Sequence, residues 1–202
     1  MDIADDAALL VIDVQQGFDD PGWGPRDNPD AEANIGRLVA AWTDAGRPIV
    51  LVRHDSEEEG SPLAPGTPGN ALKDVVADAP HELFVSKLVN SAFHGTPDLD
   101  AWLRDRGIRQ VVVCGIQTNM CVETTARVGG NLGYDVIVPL DATHTFDLEG
   151  PGGIRLTAAE LARATAVNLD GGEFARVVST DDVVAAPLPR VTDAREPHPA
   201  HG

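Results

Sequence analysis

The chain has 202 residues, with 15 Lys+Arg against 32 Asp+Glu, a formal net charge of −17 and 43% hydrophobic residues. That suits one folded domain, or one domain with a tail, and excludes a disordered chain. The negative charge repels phosphate backbones and anionic lipid, so no nucleic-acid or membrane partner is expected.

Six short apolar runs follow one another: Ala7–Ile12, Pro48–Val52, Glu82–Val85, Gln110–Cys114, Asp135–Val138 and Ala175–Val178. They are continuous rather than alternating, as parallel strands buried on both faces are. Between the first two, Ala31–Ala45 carries Ile35, Leu38, Val39 and Trp42 at helical spacing, and Gly46 then Pro48 end it. Leu99–Arg106 and Val122–Leu132 fill later intervals as helices, and Thr157–Leu169 opens on a capping box, Thr157 with Glu160. This order predicts an α/β fold, a three-layer α/β/α sandwich around a mostly parallel six-stranded sheet.

Residues 1–186 make up the expected domain, and 187–202, with four prolines, the expected tail. Val14–Asp30 and His54–Asn70 read as long Gly/Pro-rich loops leaving the carboxyl ends of strands, where open α/β sheets bind ligands. The acidic opening Met1–Asp6 is unlike a secretion signal, and no apolar run approaches the roughly 18 residues of a membrane span. A cytoplasmic protein with reduced thiols is therefore expected.

Three residues fall at strand ends. Asp13, closing LLVID, is either a cap for the loop that follows or a desolvated base. Lys87, after Phe84-Val85-Ser86, taken alone reads as a snorkelling lysine. Cys121, in GIQTNMCVETTAR, is either a small buried hydrophobe or a thiol whose pKa a helix N-terminus lowers. In a parallel sheet all three converge on one edge, giving the parts of a cysteine nucleophile with a base and a charge stabiliser.

The segments LLVIDVQQGF, VSKLVNSAF and VVVCGIQTNMCVETTARVGGNLGYDVIVPLDATHTF, in that order, resemble the isochorismatase-like cysteine hydrolases, which include nicotinamidases and N-carbamoylsarcosine amidases. The resemblance spans about residues 7–180 and implies the same sandwich fold. It implies Asp13 as catalytic acid/base, Lys87 as its lysine and Cys121 as nucleophile. It further implies a cis peptide between Ile116 and Gln117, with the N–H groups of Gln117 and Cys121 as oxyanion hole. The implied activity is hydrolysis of a C–N bond in a small amide, lactam, ureido or carbamoyl compound through a thioester, by a homodimer or homotetramer. The presence of Cys121 favours this over isochorismatase-type vinyl-ether cleavage, which does not need the thiol.

Nicotinamidases also carry an Asp-x-His pair and a further His around a metal. Here the matching loop reads Arg53-His54-Asp55-Ser56, and residues 60–69 contain no histidine. His54 and Asp55 alone make a poor metal site, so no metal is expected. No GxGxxG or GxxxxGK[ST] loop occurs, so no nucleotide cofactor is indicated either. Phe18, Trp23 and Phe93 could line a pocket or pack the core, and Gln117 and Thr118 could contact substrate or shape the turn. His144, after the fifth strand, is a further candidate for substrate contact or for a structural role. Two readings outside hydrolysis stay open: a non-catalytic binding member of the family, and a Cys114/Cys121 thiol redox protein.

Overall fold

The computed structural model describes residues 1–187, so the expected tail lies outside the described residues except for Pro187. The strands are β1 (Ala8–Ile12), β2 (Ile49–His54), β3 (Leu83–Lys87), β4 (Gln110–Ile116), β5 (Asp135–Pro139), β6 (Thr143–His144), β7 (Leu148–Glu149), β8 (Arg155–Leu156) and β9 (Arg176–Val178). The α-helices are α1 (Ala31–Ala45), α2 (Asp74–Ala77), α3 (Leu99–Asp105), α4 (Glu123–Asn131), α5 (Ala158–Gly171) and α6 (Thr180–Val184). The main sheet runs β3-β2-β1-β4-β5-β9, with all pairs parallel, and the two-residue β6 pairs with β4. Sequence reading found the six main strands but not β6 or the β7–β8 hairpin, because two-residue strands carry no hydrophobic period.

The continuous apolar runs place one core on each face of the sheet. Leu9 and Val11 of β1 point to one face, with Val112 and Cys114 of β4 and Ile35, Leu38 and Trp42 of α1. Ala8, Leu10 and Ile12 point to the other, with Val111 and Val113, Leu99 and Leu103 of α3 and Ala126 of α4. Trp42 is fully buried and still donates its indole N–H to the Ala7 carbonyl at 2.8 Å. Gly46 ends α1 in the left-handed region, at φ 66°, where a side chain would be strained. Thr157 and Glu160 form the expected capping box at the start of α5.

The strand order reverses between β1 and β4. The chain winds outward from β1 through β2 to β3, then returns to the other side of β1 at β4. Such a switch point leaves a crevice above the carboxyl ends of the two central strands. Gly115 on β4 lies opposite Ile12 on β1, at φ +126°, and a Cβ there would overlap the Ile12 carbonyl oxygen. Only glycine lets the two strand ends close at this point, one residue from Asp13.

Gly115→Ala should therefore lower stability by about 3 kcal/mol or more, from backbone strain together with overpacking. Urea unfolding measures this, and a loss within about 0.5 kcal/mol would show that the strands can separate at low cost.

Candidate active site

Asp13 sits just past β1 with φ 50°. Its N–H donates to the Val52 carbonyl at 2.9 Å, which continues the β1–β2 ladder by one residue and aims the side chain over the sheet edge. Lys87 ends β3, two strands away, and is paired in register with His54 on β2. Its long side chain crosses the end of β2 to reach the switch point. Cys121 lies in a single π-helical turn, Thr118–Val122, between β4 and α4. The Ile116–Gln117 peptide ahead of it is cis, as the resemblance implied.

These three side chains meet. Lys87 Nζ donates to Asp13 Oδ2 at 2.6 Å and to Cys121 Sγ at 3.3 Å. Asp13 is 0% exposed, Lys87 2% and Cys121 9%. Lys87 is thus a buried ammonium paired with a buried carboxylate, which corrects the reading of it as a snorkelling lysine. Asp13 Oδ1 is buried and has no hydrogen-bond partner among the described residues.

Burial lifts Asp13 above the ordinary carboxylate range, although the Lys87 charge pulls against it. Burial also opposes the charge on Lys87, but Asp13 and Cys121 outweigh it and hold the ammonium above its usual range. For Cys121, burial and the Asp13 charge push the thiol well up, and the contact with Lys87 only partly offsets them. The helix-terminus expectation of a lowered thiol pKa is corrected here. The residue sits within a buried turn, where desolvation together with the Asp13 charge outweighs the Lys87 ammonium 3.3 Å away, so the resting sulfur keeps its proton.

Phe18, Trp23 and Phe146 form an aromatic block, with Phe18 and Trp23 centroids 5.3 Å apart and Trp23 and Phe146 5.5 Å apart. Trp23 donates its indole N–H to the Gly17 carbonyl. Phe93 packs with the core on the opposite face, its ring stacked 5.6 Å from Tyr134. Thr118 donates its hydroxyl to Thr143 Oγ1 at 2.8 Å, which shapes the turn, and Thr145 Oγ1 reaches the Gln117 side-chain oxygen at 3.5 Å. His144 is fully buried, edge-on to Phe146, with Nε2 3.6 Å from Glu32 Oε1. Cys114 is buried in β4, and burial alone raises its pKa.

Sequence reading missed the polar lacing beneath these loops. Gln15 accepts from the His54 N–H at 2.8 Å and donates to the carbonyls of His54 and Asn70, both at 3.0 Å. Lys73 bridges Asp19 and Glu32, and Glu32 also accepts from Arg26. Both long loops are thereby tied to the sheet edge and to α1. The missed signal is a buried glutamine directly after a strand end, visible only once the neighbouring strand is known.

The metal of nicotinamidases does not fit these residues. Asp55 Oδ1 accepts from Arg53 Nε at 2.7 Å and from Asn70 Nδ2 at 3.0 Å, and His54 Nδ1 lies 3.4 Å from the Lys87 ammonium. A cation at His54 would therefore sit against another cation, and the Asp55 carboxylate beside it is already engaged by Arg53 and Asn70.

Residues 7–171 match the family described as the Isochorismatase domain. The chain belongs to this family, in which several of its relatives are named as hydrolases or amidohydrolases. It is similar to the crystal structure of a putative hydrolase of the isochorismatase family from Chromobacterium violaceum. The identity is 44%, the TM-score 0.85, and the coverage 91% of this chain and 94% of that one. It is 36% identical over 177 residues to the isochorismatase family protein YrdC of Bacillus subtilis, covering 88% of this chain and 94% of that protein. It is 35% identical over 188 residues to a streptothricin hydrolase of Streptomyces noursei, covering 91% of this chain and 73% of that protein.

Iodoacetamide should modify Cys121 and leave the fully buried Cys114 intact, because only Cys121 lies beside Lys87 and interacts with the Asp13 carboxylate. Asp13→Ala should slow the reaction at Cys121 by about 10²-fold or more. Peptide mass read across pH gives both numbers, and equal reaction at both cysteines would remove the case for an activated thiol.

Proposed function

We propose that the chain is a cysteine-dependent amidohydrolase, cleaving a C–N bond of a small amide, lactam, ureido or carbamoyl compound through a thioester. The observation that carries this reading is the single Lys87 ammonium in contact with both the Asp13 carboxylate and the Cys121 sulfur. A buried thiol with a raised pKa is a weak nucleophile unless a base takes its proton as it attacks, and Asp13 Oδ1 is an acceptor with no other partner among the described residues.

The reaction then runs in two halves. Asp13 takes the Cys121 proton as sulfur bonds to the substrate carbonyl carbon. The oxygen becomes an oxyanion, held by the N–H groups of Gln117 and Cys121 in the field of Lys87. Asp13 returns its proton to the leaving nitrogen, the C–N bond breaks, and the acyl group remains on sulfur. Water, deprotonated by Asp13, attacks the thioester. The product acid leaves, and the proton returns to Cys121. The streptothricin hydrolase relative supports a hydrolytic role for this scaffold.

A screen of small amides, lactams, ureido and carbamoyl compounds for release of ammonia or amine tests the reading. Cys121→Ala, Asp13→Ala and Lys87→Ala should each lower kcat/KM by about 10³-fold or more, with an acyl adduct on Cys121 seen by mass in the wild type. Asp13 must be ionised to act, so the acid limb of kcat/KM should lie above the ordinary carboxylate value of 3.8, in the direction that burial moves it. Activity that survives Cys121→Ala would indicate vinyl-ether chemistry of the isochorismatase kind. An inert thiol and no turnover would indicate a binding protein.

A further inference from the structure

The Lys87 ammonium has three hydrogens and no lone pair, and the structure gives it three acceptors: Asp13 Oδ2 at 2.6 Å, Cys121 Sγ at 3.3 Å and His54 Nδ1 at 3.4 Å. Because the ammonium can only donate, Nδ1 of His54 is the unprotonated nitrogen, and the neutral ring carries its hydrogen on Nε2. Around this ring stand Lys87 from β3, Asp13 from β1, and Asp55 and Glu58 from the loop after β2; burial and Lys87 outweigh the carboxylates and keep it neutral.

Nε2 has no hydrogen-bond partner among the described residues and is not among the fully buried unpartnered atoms, so it keeps some exposure. The backbone beneath it is fixed by Gln15, which bonds both the N–H and the carbonyl of His54. His54 is therefore a preorganised N–H donor separated from the nucleophile by a single ammonium. The nearby cations are already committed: Arg53 to Asp55, Lys73 to Asp19 and Glu32, and Arg26 to Glu32. A free carboxylate on a substrate would find no unpaired cation in this set, whereas a neutral acceptor finds the imidazole.

Resting on the amidohydrolase reading, we propose that His54 is a specificity-determining residue of this site. Its Nε2–H receives a neutral second carbonyl carried by the substrate beside the scissile amide.

The test compares malonamide, which has that second carbonyl, with isovaleramide, which has the same shape without it. Wild type should favour malonamide by about tenfold or more in kcat/KM. His54→Ala should bring the ratio near one through KM. His54→Gln, which places an amide N–H near the Nε2 position, should restore part of it. A ratio that His54→Ala leaves unchanged overturns the proposal.

A second readout does not need turnover. In the Cys121→Ala protein, long-range proton–nitrogen spectra should show His54 protonated on Nε2, with that nitrogen shifted by malonamide and not by isovaleramide. A ring protonated on Nδ1, or an Nε2 signal that malonamide does not move, overturns the proposal whether or not any amide is hydrolysed. A malonamide shift without hydrolysis of any amide would instead leave His54 as the reader and overturn the amidohydrolase reading.

Discussion

The Lys87–Asp13 ion pair is the contact on which the rest of the site depends. Both side chains are fully out of water, and their closest atoms are 2.6 Å apart. Neither charge would be tolerated alone at this depth, since removing one member of such a pair costs about 3–5 kcal/mol. A buried pair is seldom the most stable filling of a core, because apolar residues of the same size do as well or better. Its presence at the switch point of a parallel sheet therefore signals chemistry more than stability.

Several features of the fold serve to bring these groups together. The close approach of Gly115 to Ile12 draws the ends of β1 and β4 together. The ladder contact from Asp13 to Val52 sets the direction of the carboxylate. The His54–Lys87 register places the lysine at the height of the site although it starts two strands away. The Gln15, Asn70 and Lys73 contacts then hold the two long loops in place around the site. The electrostatic outcome is a sulfur that holds its proton beside a carboxylate with one free oxygen. In the proposed reaction Asp13 takes this proton as the sulfur attacks.

Much of this was legible in the sequence. Apolar runs without alternation marked the parallel strands, and the Ile35, Leu38, Val39, Trp42 stripe with Gly46 behind it marked α1 from Ala31 to Ala45. Strand-end positions were enough to single out Asp13, Lys87 and Cys121. The state of those groups was not legible. A lysine that crosses one strand to reach the next reads as a surface lysine until strand order is known. The turn holding Cys121 reads as the start of an ordinary helix, which would lower a thiol pKa, whereas depth of burial raises it. In the sequence His54 reads only as a candidate metal ligand, because its real neighbour, Lys87, is 33 residues away. In the sequence Phe18, Trp23 and Phe93 share only their closeness to strand ends; Phe18 and Trp23 pack on one face of the sheet and Phe93 on the other.

The central claim is that the resting site holds an ionised Asp13–Lys87 pair beside a protonated Cys121. The most direct measurement is the infrared S–H stretch near neutral pH, taken as the difference between wild type and Cys121→Ser. The account predicts that the Cys121 band stays in this difference while that of Cys114, common to both proteins, cancels, and that the matching difference against Asp13→Ala shows the carboxylate rather than the carboxylic acid signature. Absence of the Cys121 band, with a carboxylic acid signal from Asp13 in its place, would mean that the proton already rests on the carboxylate and would contradict the account.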